Sequence, residues 1–278
     1  MSPDFDFGSN FNIAAGDHAP IITSAQPKLL QSFTFGFTPS WSKKKTYVIN
    51  ARSEGDHNKK NDPTYKGAKG IIKKPFFRSS IRSKRCLVIA DAFIEGTTKE
   101  KLSSPFAVYL INKQRPFAFA GIYDQWIDQE TGEILNSFAI ITCPPNKLMQ
   151  MIPHHRMPVI LKPEDYETYL SQDAPLDSIT SLLKPFDPKE MNAYPISNEI
   201  KNPSLKDASL LEPIGPPLQK EYFYRQELKN ILMGMGMSPS RYRKLKEEGK
   251  LEGVESIEDE VDQDRVQLKI DFDKKSRD

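Results

Sequence analysis

The sequence is poor in the residues that usually betray a chemistry. Its 278 residues include only two cysteines, four histidines and two tryptophans. Cys86 and Cys143 form no CxxC pair, which argues against a structural zinc site. Each lies in an apolar, strand-like run, "RCLVIA" or "AIITCPP", so buried free thiols are expected in preference to a disulfide or a reactive thiol. No run approaches the roughly 18–20 apolar residues that a membrane span needs, and "MSPDFDFGSN" lacks the apolar centre of a secretion signal. A cytoplasmic protein with no membrane partner is the expectation.

Strong net charge is also missing, at +2 overall, yet the charges are unevenly placed. Lys43 to Lys101 holds 16 lysines and arginines against 6 acids, while Glu247 to Asp264 holds 9 acids and one base, Lys250. The basic segment reads either as an ordinary solvated face or as a surface for phosphates, where lysine and arginine gain affinity by releasing counterions.

Up to about residue 206 the chain is a series of short β-like runs. "SFTFGFTPSW", "KTYVINAR", "RCLVIADAFIEG", "SPFAVYLIN", "PFAFAGIYDQW", "NSFAIITCP" and "MPVILK" are rich in Val, Ile, Phe and Tyr and bounded by turn residues. "DQETGEI" predicts a hairpin turning at Gly132. "PPNKLMQMI" and "KPEDYETYLS" suit helices, with prolines or acids in the first turn. This mixture predicts an α+β domain over 1–206, with a mostly antiparallel, curved and barrel-like sheet flanked by helices. Residues 207–278 read as an extension. A proline-rich connector, "LLEPIGPPLQ", leads to two short helical stretches, "YRQELKNILMGMG" and "SPSRYRKLKEEGK", and then to the acidic run, expected to be partly disordered.

Three polar clusters end strand-like runs, where a rigid scaffold commonly holds a site. "INARSEG" carries Asn50, Arg52 and Glu54; "ADAFIEG" carries Asp91 and Glu95; "MIPHHRMPVIL" carries His154, His155 and Arg156. Asp91 and Glu95, four apart, share a face of an extended chain. A carboxyl ending so apolar a run is partly desolvated, which raises its pKa and suits it to proton donation near neutrality. Adjacent histidines point apart, so metal binding is the weakest reading of the third cluster, and one histidine acting as acid or base beside an arginine that holds an anion fits better. A Cys143–His154 protease pair is disfavoured because the cysteine lies within a strand. Taken singly, each cluster is better read as a strand end wetting its polar residues.

Their order along the chain points further. "FGFTPSW", "INARSE", "KPFF…RCLVIADAFIEG", "SPFAVY", "PFAFAGIYDQW", "FAIITCPPN", "HHRMPVIL" and "YPISNEIKNP" together resemble the SRAP family, the SOS response-associated peptidases, over about residues 11–206. The resemblance implies the SRAP-type fold and action on abasic sites in single-stranded DNA during the damage response, by a monomer without metal or cofactor. In the family an N-terminal cysteine, exposed by removal of the initiator methionine, attacks the open-chain sugar aldehyde with its α-amine. Its thiol then closes a thiazolidine, leaving a DNA–protein crosslink; the family label also implies self-processing of the N-terminus.

By the same resemblance Asn50 lies against the crosslink and Arg52 on DNA phosphate. Glu95 shuttles protons during Schiff-base formation, and His154 assists ring opening and crosslink reversal. Arg156 belongs to the DNA-binding set, with Phe35, Pro39 and Trp41 lining the DNA cleft. His155 holds the variable position of the turn and is expected to face solvent. The sequence departs from the family at Phe35, Ala92 and Gly96, which replace tryptophan, glycine and tryptophan. Ser2 follows Met1 where the family has cysteine. Two explanations stand: a start assigned downstream of the true one, favoured by the retained Asn50, Glu95 and His154, or a diverged member that binds DNA without crosslinking.

Overall fold

The computed structural model describes residues 9–111 and 115–219, together with the two-residue strands Tyr222–Phe223 and Val266–Gln267, which pair with each other. Both helices expected in the extension, and its acidic run up to Asp264, lie outside the described residues.

The strand-rich first part forms β1 (His18–Thr23), β2 (Gln26–Phe35), β3 (Asn50–Arg52), β4 (Arg85–Ala90), β5 (Phe93–Thr97), β6 (Lys101–Leu110), β7 (Phe117–Ile127), β8 (Ile134–Cys143), β9 (Met157–Pro158), β10 (Ile160–Leu161) and β11 (Met191–Pro195). Strands β7, β4, β1, β2 and β8 pair in that order, and β8 pairs back onto β7, closing a five-stranded barrel. Every pairing around it is antiparallel except β2 with β8, which is parallel. Closure removes the free edges that a short open sheet would expose. A separate antiparallel sheet runs β11–β6–β5. The expected curved, mostly antiparallel α+β architecture is therefore present, with β2–β8 and β3–β8 as its parallel members.

The burial patterns follow from that arrangement. In β1 the residues alternate, with Ala19, Ile21 and Thr23 inward. In β4 Arg85, Cys86, Leu87 and Val88 are all buried, as are the first six residues of β7, because both faces of these strands are covered. The Arg85 guanidinium, 1% exposed, donates to the carbonyls of Ile81, Arg82, Tyr169 and Ser171. It thereby satisfies acceptors at the ends of the short helices α1 (Ser80–Ser83) and α3 (Tyr166–Leu170).

The β7–β8 hairpin turns where the sequence predicts. Gly132 takes φ +74°, which L side chains seldom adopt, and the Asp128 carboxylate accepts the amides of Glu130 and Thr131. Helix α2 (Lys147–Met151) starts two residues after the second proline, because Asn146 caps it by accepting the Met149 amide at 3.0 Å. Helix α4 is Leu176–Ser181. Residues 208–219 of the expected extension run beside β11: the amides of Ile214 and Leu218 donate to the carbonyls of Pro195 and Ala193, and Leu210 and Leu211 are buried.

"RCLVIADAFIEG" is not one strand. It leaves the barrel after Ala90 and re-enters structure at Phe93 in the other sheet. The same-face reading of Asp91 and Glu95 fails for that reason: the chain changes sheets between them.

A candidate acid–base site where the two sheets meet

The C-terminal half of β8 gathers two of the polar clusters. On one side it pairs in parallel with β3, setting Asn50 beside Ile140 and Arg52 beside Thr142. On the other it pairs with β9, setting Cys143 beside Met157. Alternation along β3 buries Ala51 and turns Asn50 and Arg52 to the opposite face, with Asn50 exposed and Arg52 half-buried. The histidine turn leads directly into β9, so it stands at the same end of β8.

The third cluster arrives from the second sheet. The His154 Nδ1 atom lies 2.7 Å from the Gly96 carbonyl on β5. A carbonyl only accepts, so Nδ1 carries the proton and Nε2 keeps its lone pair in the neutral ring. That Nε2 faces Glu95 Oε2 at 3.3 Å. Burial pushes the Glu95 carboxyl up to about 8. Burial also pulls His154 below its ordinary value, with the nearby Arg156 charge acting the same way against the hydrogen bond to Gly96. Both shifts favour a protonated carboxyl facing a neutral imidazole. The Glu95 side chain keeps 26% of its surface exposed, so the proton it holds at neutral pH is within reach of a ligand. A poised proton donor beside an unprotonated acceptor can perform general acid–base catalysis.

Gly96 is closely packed in its own hairpin. A Cβ added there would come within 1.9 Å of the Lys101 carbonyl across the tight β5–β6 turn. The tryptophan of the family pattern has no room in this hairpin. Gly96→Ala is expected to destabilise the protein by about 1–3 kcal/mol through overpacking against backbone. Chemical denaturation checks this, with an unchanged midpoint as the contrary result.

The sequence reading assigned Arg156 to DNA; it is 7% exposed and its fork grips the Glu54 carboxylate. Nη1 and Nη2 reach Oε1 and Oε2 at 2.9 Å each, and Nη2 also donates to Thr142 Oγ1 at 2.9 Å. With both terminal nitrogens committed to buried acceptors, Arg156 is a strut between the "NARSE" segment and the histidine turn. Glu54, 0% exposed, is the partner that the sequence reading named only as one polar residue of its cluster. Glutamate after an apolar strand gives no sign of a partner 102 residues away.

The aromatic set divides too. Pro39 is buried, and Phe35, half-buried, stacks on Phe138 with centroids 5.2 Å apart. Trp41 is 59% exposed and touches Phe76 edge-on, which leaves it as the one of the three that presents its ring to solvent. Around it, Lys43, Lys44 and Lys45 are exposed, and Lys45 sits 5.7 Å from the Tyr47 ring. Cys143 is fully buried with its thiol pushed up to about 12, which removes it as a nucleophile for His154. His155 does not simply face solvent: it is half-buried and stacked on His154.

Comparison with known proteins agrees with this architecture. Abasic site processing protein YoqW of Bacillus subtilis is 32% identical over 216 residues, covering 76% of this chain and 88% of that protein. Abasic site processing protein HMCES of Xenopus tropicalis is 24% identical, covering 69% of this chain and 62% of that protein. A crystal structure of a protein from Bacteroides thetaiotaomicron matches with a TM-score of 0.60 at 33% identity, covering 71% of this chain and 82% of that one. The family model described as SOS response associated peptidase matches residues 2–203. On the fold, the ordered motifs and this match, the chain belongs to the SRAP family.

Proposed function

We propose that this protein processes abasic sites in single-stranded DNA and forms a covalent DNA–protein crosslink there as part of a DNA damage response. The observation that carries the reading is the Glu95–His154 contact, a protonated carboxyl at neutral pH next to a neutral imidazole, standing by the Asn50–Arg52 face of β3. The names of the relatives support the substrate class.

An abasic sugar in its open form presents an aldehyde. An amine adds to that carbon, and the resulting carbinolamine loses its hydroxyl as water to give a Schiff base; the departing oxygen needs a proton, which Glu95 holds. The N-terminal α-amine suits the attack, since a pKa near 8 leaves a useful fraction neutral at pH ~7. His154 accepts and returns protons as the sugar ring opens and as the crosslink reverses. Asn50 holds the adduct and Arg52 a flanking phosphate. Unpaired bases stack on Trp41, and the surrounding lysines attract the strand without reading its sequence. The protein acts as a monomer in the cytoplasm and joins the nucleoid when bound to DNA.

The test uses single-stranded oligonucleotides with and without an abasic site, with borohydride added to trap the imine. A slow-migrating band on a denaturing gel, dependent on the lesion, is expected, and in parallel reactions without borohydride His154→Ala should slow reversal of the crosslink. Equal affinity for duplex and single strand, with no lesion dependence, would overturn the proposal. The competing reading is a scaffold that binds without reacting; it predicts lesion binding with no reduced adduct. Mass spectrometry of the native N-terminus tests both self-processing and the identity of the attacking residue.

A further inference from the structure

The residue beside His154 is held as deliberately as His154 itself. The two imidazoles stack with centroids 5.1 Å apart and planes inclined by 19°. His155 Nδ1 lies 2.9 Å from Thr98 Oγ1, whose own hydroxyl donates to the Pro153 carbonyl at 2.8 Å. Because the threonine proton goes to that carbonyl, its oxygen accepts from His155, which fixes the His155 proton on Nδ1. The Thr98 amide donates to the same Pro153 carbonyl at 3.0 Å. Thr98, the residue after β5, thus clamps both ends of the segment that carries His154.

We propose that His155 is a positioning residue for the reaction: clamped by Thr98 and stacked on His154, it holds that imidazole towards Glu95 and restricts the histidine pair to one proton. The inference rests on the Glu95–His154 reading given above. Its physical basis is the surroundings of the two rings. Glu95 on β5 faces His154, Arg52 comes from β3, and Arg156 follows in the same turn with its charge partly answered by Glu54. A second proton on the stack would place two imidazolium rings face to face beside Arg52, with Glu95 as the nearest counter-charge only once that carboxyl has ionised. Burial, then the charges of His154, Arg52 and Arg156, hold His155 below its ordinary pKa, in accord with that exclusion. His155 needs no contact with DNA for this role.

Histidine NMR titrations in the full chain without DNA provide the first readout, and the pH profile of single-turnover crosslinking the second. In His155→Ala, His154 loses the ring that covers it and gains water, so its pKa is expected to rise by about half a pH unit or more. The acid limb of the crosslinking profile should move with it. The maximal rate should fall by on the order of tenfold through misplacement of the ring, while affinity for intact single-stranded DNA stays within about twofold. His155→Phe keeps the stack and is expected to lie between wild type and His155→Ala; Thr98→Val removes only the clamp and should lower the rate with a smaller change in titration. These two variants also decide the matter if His155→Ala fails to fold. An unchanged His154 titration in every folded variant overturns the proposal, as does a loss confined to DNA affinity. Since the titration is read without DNA, it stands even if no crosslink forms. Conversely, a wild type that crosslinks with a His154 indifferent to His155 overturns this inference alone.

Discussion

Glu95→Gln is expected to slow crosslinking by roughly 10²- to 10⁴-fold, the usual worth of a positioned general acid. Glutamine matches glutamate in shape and can still donate an amide hydrogen to His154 Nε2, but it has no proton to transfer to a departing hydroxyl. Affinity for abasic single strands should stay within about twofold, because the substitution removes proton transfer and leaves the binding face intact. Single-turnover rates on denaturing gels, set against gel-shift affinities, provide the measurement; a Glu95→Gln rate equal to wild type would end the assignment. The pH profile adds a second signature. With the carboxyl pushed up to about 8 by burial, the acid form is lost as pH rises past that value, so the wild-type rate declines on the alkaline side. In Glu95→Gln that decline disappears.

The same shift has a defined consequence for stability. An unfolded glutamate titrates at its ordinary value of 4.5, while the native one does so at about 8. Between those values the unfolded state binds fewer protons, so native stability falls as pH rises through the window. His154 acts in the opposite sense at lower pH. Its native pKa lies below the ordinary 6.5, so stability rises with pH until the unfolded ring has lost its proton. His155 is lowered in the same way; once the unfolded histidines have lost their protons the Glu95 effect dominates up to about pH 8, and Glu95→Gln should flatten the thermal midpoint there.

The second large effect is structural. Glu54→Ala is expected to destabilise the fold by about 3–5 kcal/mol, because it leaves the Arg156 guanidinium buried without a counter-charge. Urea denaturation followed by tryptophan fluorescence measures it, and a loss below about 1 kcal/mol would mean that water or another group reaches Arg156. Replacing both partners together by apolar residues of similar volume should recover much of the loss, since no buried charge is then left unpaired. Burial alone would raise the Glu54 pKa, but the hydrogen bonds and charge of Arg156 outweigh it and hold the carboxyl below 4.5. The stability supplied by the pair is therefore present above that value and is lost as pH falls through the lowered native pKa. A double-variant protein that folds yet crosslinks slowly would show that the strut also sets the position of the histidine turn.

The sequence by itself determined the class of fold, the hairpin at Gly132, a helix within "PPNKLMQMI" and the three polar clusters, because strand propensity and turn chemistry act over a few neighbouring residues; the Asn146 cap that sets the start of that helix came from the structure. The ordered motifs went further and marked the family. Only the tertiary structure decided which cluster members meet. It split "RCLVIADAFIEG" between two sheets and joined Glu95 to His154. It drew Arg156 inward onto Glu54 and placed Thr98 under the histidine turn, with no local pattern to announce any of these contacts. Such contacts span tens of residues along the chain and are set by how barrel closure brings β3, β8 and β9 against the end of β5. The net orientation of a side chain there depends on which partner lies within about 3 Å, a quantity that alternation and composition do not encode.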